Sequence, residues 1–396
     1  MVKIIHTKPC HKQELERLWQ DCFHDPAHYE DYYFQQIYAY NDVLAVEKDG
    51  QIVSMLHLNP YEIYFNGRVI PSNYIVGVAT RKDHRHKGYM SMLLRQVFNE
   101  LNVSRVPFVY LMPADPAIYK PSNFTYIYNQ FVIEKKKSHR KQPPVPGGYL
   151  SSRKASQTDI CELVPFANSV LKTRCDVFAW RDKRYFENLI KETSIDRGGI
   201  ELLYDEMKKL AGYVAYVRGE KLEIREVMSC EERESHVLRW LCNHFSEEEG
   251  TLLTFPLSMS KSMKEPSFWN SYYKPIIMAR IVNLKAFLEL ARAQEDFQIV
   301  IRVKDSWIEE NNGEFLWQIM GGESHVLKKS VPDIQAASLR AVSQVTATIE
   351  GLAAWLFGYK TLQTLIIDGE ISTTEESIKK LEKVQLIKGI LLNEIV

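Results

Sequence analysis

Residues 73–101, NYIVGVATRKDHRHKGYMSMLLRQVFNEL, set a β-branched run, a basic loop and an amphipathic pattern end to end. Residues 74–78 suit a buried strand. Residues 81–87 are basic at every position except Asp83, and Gly88 closes them. Beyond it, Met90, Leu93, Leu94, Val97, Phe98 and Leu101 fall on one helical face. A strand that enters a helix this way leaves unpaired backbone N–H groups at the helix start. Those groups and the helix dipole favour an anion, with phosphate the usual one. Gly88 lets it approach the backbone with no Cβ in the way. The competing reading is a solvated basic turn ahead of a core helix.

The chain around this stretch reads as α/β (α+β). Residues 1–10 predict a strand, and Leu15, Leu18 and Trp19 mark a helix over residues 11–23. Residues 28–38, rich in aromatics, predict a second helix. Asp49-Gly50 and Asn66-Gly67 are the dipeptides of tight hairpins. Residues 42–80 therefore predict an antiparallel meander that ends in the strand before the basic loop. Residues 107–112 predict another buried strand, followed by PADPAIYKPSNF at 113–124. Tyr119 there offers a phenol. An O–H donor helps a thiolate leave near neutral pH, since a free thiol titrates at about 8.5. With 21 Tyr in the chain, packing is the competing role.

At 396 residues the chain has room for two or three domains. Lys+Arg and Asp+Glu are equal at 50 each, which argues against a broad nucleic-acid face. No apolar run reaches membrane-spanning length, and no signal-peptide core opens the chain. The six Cys form no CxxC and no Cys/His metal spacing, so they read as reduced, cytoplasmic and packed, with no metal site. HExxH, GxSxG and Walker patterns are missing. His84 and His86 read as part of the basic loop. KKKSHRKQPPVPGG, residues 135–148, is the clearest linker. Beyond it, residues 149–282 predict helices at 157–171, 181–190 and 231–245. Strands are expected at 200–204, 210–217, 221–228 and 251–255. This repeats the order of the first half without its basic loop. Residues 283–396 predict a hairpin turning near Asn312-Gly313, a helix over 338–357 and a further element at 362–370.

Arg85-x-x-Gly88 after its strand resembles the acyl-CoA pyrophosphate loop of the GNAT N-acetyltransferase superfamily, whose pattern is Gln/Arg-x-x-Gly-x-Gly/Ala. Met90 departs from the last small residue. It resembles instead the enhanced intracellular survival (Eis) family, which is apolar there. Tyr119-x-x-x-Asn123-Phe124 is similar to that superfamily's Tyr-x-x-x-Gly-Phe/Tyr, with Asn for Gly. Asn tolerates the left-handed backbone better than most residues. The resemblance implies tandem acetyltransferase folds followed by a sterol-carrier-protein-like domain. The domains fall at 1–147 (acetyl-CoA binding), 148–282 (without a cofactor site) and 283–396.

The same resemblance implies acetyl-CoA as acyl donor, held by Arg85, His86, Lys87, Gly88, Tyr89, Met90 and Ser91. It implies pantetheine between splayed strands at 74–80 and 108–113, on the backbone of Val78, Ala79 and Thr80. Ala114 and Asp115 match a further contact. It implies a small-molecule amine acceptor, with Tyr119 as general acid. The base is the C-terminal carboxylate, here Val396, brought in by the apolar tail from 386 onward. A homo-oligomer is implied, hexameric in mycobacterial members. An apolar-ligand carrier, a CoA-binding regulator and a peptide or protein acyltransferase are the alternative functions.

Overall fold

The structure, a computed structural model, describes residues 1–135, 149–252, 269–329 and 344–394. Its first lobe begins with β1 (Val2–His6), α1 (Lys12–Phe23) and α2 (Ala27–Tyr32). The helix expected over 28–38 breaks at Tyr33, where a π turn and then a 3-10 turn carry the chain to Tyr40. The break lets Tyr33 and Phe34 pack on Trp19. Then β2 (Asp42–Lys48), β3 (Gln51–Phe65) and β4 (Arg68–Thr80) form the expected meander. Both hairpins turn on positive φ: Asp49 and Gly50 at 51° and 80°, Asn66 and Gly67 at 48° and 89°. This is the backbone twist that matches right-handed strands. After α3 (Tyr89–Val103) come β5 (Phe108–Leu111), α4 (Pro116–Tyr119) and β6 (Thr125–Lys135).

The second lobe holds β7 (Ser151–Lys154), α5 (Ile160–Arg174), β8 (Val177–Ala179) and α6 (Lys183–Ile195). It continues with β9 (Gly199–Tyr204), β10 (Leu210–Arg218), β11 (Leu222–Ser229), α7 (Glu234–His244), β12 (Gly250–Leu252) and β13 (Trp269–Ile281). The two lobes share one sheet, in the order β1-β2-β3-β4-β5-β13-β6-β12-β11-β10-β9-β7. β13 leaves its own lobe and lies between β5 and β6, antiparallel to both. The sheet thus runs across the position 147/148.

The C-terminal domain contains β14 (Arg292–Ala293), β15 (Phe297–Lys304), β16 (Gly313–Met320), β17 (Glu323–Lys328), β18 (Gln344–Thr348) and β19 (Ile371–Thr373). β15 to β19 form a sheet in the order β17-β16-β15-β18-β19. The helix expected over 338–357 is corrected: residues 344–348 are strand, only Ile349–Leu356 is helix, and 338–343 lie outside the described residues. Thr348 marks the boundary, because its side chain accepts from Gly351 N–H and starts the helix there. The hairpin expected near Asn312-Gly313 forms between β15 and β16, with a longer connection than that dipeptide alone. β15 ends nine residues before Gly313, since Asp305 is buried and its backbone is held by the Asn312 side chain. β20 (Val384–Gln385) pairs with β14, and β21 (Ile390–Leu391) returns to the first two lobes.

Candidate active site

The basic loop sits where β4 hands over to α3. Gly88, at φ +79°, caps α3, and no side chain caps that end. Met92 N–H donates to the Gly88 carbonyl at 3.0 Å, so the N–H groups of Tyr89, Met90 and Ser91 stand ahead of the helical ladder. A Cβ at Gly88 would meet nothing within 4 Å, so the space beside the helix start is open. Arg85, His86 and Lys87 are exposed around it. Arg85 Nε donates to the Thr80 carbonyl at 3.2 Å and Lys87 Nζ to the Asp83 carbonyl at 2.8 Å, which fold the loop on itself.

β4 and β5 run parallel but pair only at Asn73↔Val109 and Tyr74↔Tyr110. β4 continues to Thr80, so the strands part beyond Tyr74. A bulge at Gly77 and Val78 breaks the β3–β4 register and turns the strand end away. Gly77 is required there: its φ is +59°, and a Cβ would meet the Trp19 ring at 2.5 Å. Of the three sequence candidates on β4, Ala79 and Thr80 have carbonyls bonded to Ser54 Oγ and Arg85 Nε. Val78 lies in the bulge, outside the β3 ladder.

Tyr119, last residue of α4, packs on the same core cluster as Val78 and Met90. Asp115 accepts from Ala117 N–H at 2.8 Å and caps that short helix. Ala114, beside it, is exposed. The Tyr119 ring packs edge-on against Phe124 at 5.8 Å. Burial pushes its phenol up to about 12, so it is protonated at neutral pH and has a proton to donate.

Between the first and second lobes lies a cleft of about 980 Å³, counted out to its open mouth. Its walls are aromatic: Tyr29, Tyr32, Tyr40, Tyr61, Trp180 and Tyr185. Glu62, Asp182, Glu192, Glu226 and Glu394 line it against Arg184 and Arg225. Glu62 is exposed at the mouth and has no side-chain partner among the described residues. Asn59 lines the interior at 3% exposure, with neither amide atom bonded to protein. His57, two residues earlier, is buried beside Tyr33, whose hydroxyl lies 2.8 Å from its Nδ1. Burial lowers its pKa to about 3, so it stays neutral.

The floor of this cleft comes from the end of the chain. β21 adds to β8 in parallel, and β8 pairs with β3. The Leu392 carbonyl then accepts from the Tyr128 hydroxyl. Glu394 is buried; its Oε1 accepts from Arg181 at 3.1 Å, and its Oε2 lies 3.5 Å from the Tyr110 hydroxyl. Arg181 is fully buried and also donates to Glu226 at 2.6 Å and Asn393 at 2.9 Å, with its guanidinium 4.0 Å from the Tyr185 ring. Tyr110 is the last paired residue before β5 parts from β4, and its ring lies 5.3 Å from Tyr74. Glu394 thus links the lining of the cleft to Tyr110 of β5. Ile395 and Val396 lie outside the described residues.

Sequence reasoning missed this cleft, and with it Asn59, Glu62, Arg181, Glu226 and Glu394. One signal was available. Asn393-Glu394 are polar residues set inside the apolar run Ile390–Val396, and a buried tail needs partners for them.

Residues 3–127 match the acetyltransferase (GNAT) domain family, and residues 284–386 match the sterol carrier protein domain family. By class its first part is a GNAT-type acetyltransferase domain. In its particular form the chain joins that domain to a sterol-carrier-protein domain at the end, and its overall fold is similar to that of Eis1. A probable N-acyltransferase from Enterococcus faecalis V583 shares the fold with TM-score 0.83 and 19% identity, over 98% of this chain and 97% of that one. A GCN5-related N-acetyltransferase from Anabaena variabilis gives TM-score 0.81 and 18% identity, over 97% of each chain. Eis1 from Mycobacterium abscessus gives 0.74 and 12%, over the whole of both. No curated protein matches the sequence.

Proposed function

We propose that this chain transfers the acetyl group of acetyl-CoA directly to an amine. The observation that carries the reading is the opening between β4 and β5 beside the start of α3, which no side chain caps, with Tyr119 packed on the same core cluster as Val78 and Met90. The N–H groups of Tyr89, Met90 and Ser91 would hold the pyrophosphate, with Arg85, His86 and Lys87 around it. The backbone of Val78, in the bulge, would meet the pantetheine arm. Acetyl-CoA supplies an activated thioester. The amine nitrogen forms the new bond to its carbonyl carbon as the C–S bond breaks, and the sulfur leaves as a thiolate.

Tyr119 donates to that sulfur. A phenol near 12 is a weak acid toward a thiol of about 8.5 in water. The same burial raises the thiol, which narrows the gap and favours donation. The amine must lose a proton, since a lysine-like amine titrates at about 10.4. The proposal gives that role to the Val396 carboxylate. Its support is the path of residues 390–394, which run into the cleft beside Tyr110.

The cleft favours a cationic acceptor. Aromatic faces attract ammonium groups, Glu62 supplies a carboxylate with no partner among the described residues, and Asn59 supplies a donor and an acceptor for a hydroxyl or amide. Aminoglycosides, polyamines and lysine-type amines fit that description. A panel of kanamycin, spermidine and a lysine peptide, followed by thiol release, tests it. Acetyl-CoA binding without turnover of any amine would favour a regulatory CoA-binding role instead.

A further inference from the structure

Asn123 is where the Tyr119 motif departs from the superfamily pattern, and the structure gives the departure a use. Its backbone is left-handed, at φ +61°, the conformation for which Gly is usual. Its side chain bridges to the C-terminal domain. The amide nitrogen donates to Glu350 Oε2 at 2.8 Å, and the amide oxygen accepts from Ser306 Oγ at 2.9 Å. Two residues earlier, the Pro121 carbonyl accepts from Trp307 Nε1 at 2.9 Å.

These partners are themselves fixed. Buried Asp305 accepts from Trp307 N–H at 2.9 Å and from Arg280 of β13 at 2.8 Å. The Trp307 ring lies 5.7 Å from Phe98 of α3, and the Arg95 guanidinium 4.7 Å from Trp307. Phe98 in turn packs on Phe124, and Phe124 on Tyr119. The four-residue α4 is too short to hold its own position. The place of the Tyr119 phenol must come from what grips the turn behind it.

We propose that the C-terminal domain is a brace for the active site, and that Asn123 is the positioning residue through which it sets the Tyr119 hydroxyl. The inference rests on Tyr119 being the acid. A misplacement of about 1 Å can lower a rate about 10²-fold.

The test is Asn123→Gly, which keeps the left-handed backbone and removes both bridges. With the best amine of the panel, kcat should fall about tenfold or more while the acetyl-CoA KM stays within about twofold. Amide exchange over residues 119–124 should quicken, with the thermal midpoint nearly unchanged. Asn123→Asp sets two carboxylates together and should also be slow. Asn123→Asp with Glu350→Gln reverses donor and acceptor and should recover most of the rate. In a Tyr119→Phe background, Asn123→Gly should cost nothing further. Asn123→Gly at full kcat beside an impaired Tyr119→Phe overturns the brace alone. Tyr119→Phe at full kcat overturns the acid assignment, and with it the role given to Asn123.

Discussion

Arg181 is fully buried between Glu226 and Glu394, one cation against two carboxylates. The two ways of breaking this triad should therefore differ sharply. Arg181→Met removes the only cation and leaves both carboxylates facing each other in the interior. Removing one partner of a buried pair typically costs about 3–5 kcal/mol. For a chain of 396 residues, unfolding entropy of about 2 cal/mol/K per residue converts this to a fall of roughly 4–6 °C in melting temperature. Glu394→Gln keeps a hydrogen-bonding oxygen for Arg181 and leaves a balanced Arg181–Glu226 pair, so its melting temperature should change little.

The pH dependence separates the two further. Burial raises the pKa of Glu394, against the opposing effect of Arg181. A carboxyl raised in the folded state contributes stability below its unfolded value of about 4.3. That stability is lost as pH rises through the raised folded value. Glu394→Gln should therefore gain on the wild type as pH rises above that window and approach it below. Scanning calorimetry from pH 4 to 8 on the three proteins reads both effects. Equal losses for Arg181→Met and Glu394→Gln would refute the charge argument. Arg181→Met should also lose turnover while still binding acetyl-CoA, because the triad anchors residues 393 and 394 in the cleft floor.

Gly88→Trp should weaken acetyl-CoA binding in calorimetry with little change in fold, since it puts a bulky group and strain at φ +79° beside the helix start. Tyr119→Phe should lower kcat about 10²-fold with cofactor affinity unchanged. Glu62→Gln should raise the KM for an amine acceptor while leaving that for acetyl-CoA alone, as a steady-state assay will show. His6 bridges Asp42 and Glu100 with both ring nitrogens at 3.0 Å, and bonds to Asp42 first and Glu100 second raise its pKa. Its clasp is complete below about 6.5 and fades as pH rises through the raised value. His6→Gln should thus cost a few tenths of a kcal/mol at pH 6 and less at pH 9, because the site is half exposed.

What could be read from the sequence was local. Asp49-Gly50, Asn66-Gly67 and the 90–101 face specify their own geometry over a few residues. The basic loop, its closing Gly and the strand before it lie together in the chain, so the proposed donor side could be read from them. The cleft between the lobes could not. Tyr61, Arg181 and Glu394 come from three distant segments, and nothing in their neighbourhoods announces the meeting. The hairpin expected near Asn312-Gly313 forms, but its connection is longer than that dipeptide for a related reason. A buried Arg280–Asp305 pair decides that loop, and Arg280 belongs to another domain. The notch between β5 and β6 that β13 fills was invisible, because strand pairing across more than 130 residues leaves no periodic trace.

That notch has a consequence for how the enzyme is born. A ribosome that has released β5 and β6 has made two strand edges whose common neighbour, residues 269–281, is not yet synthesised. The floor of the cleft waits longer still, for residues 390–394. The first lobe cannot finish alone, and its open edges are templates for wrong pairing until β13 arrives. Nascent chains of this protein should therefore lean on chaperones until late in synthesis. The cleft is complete only when residues 390–394 reach their places.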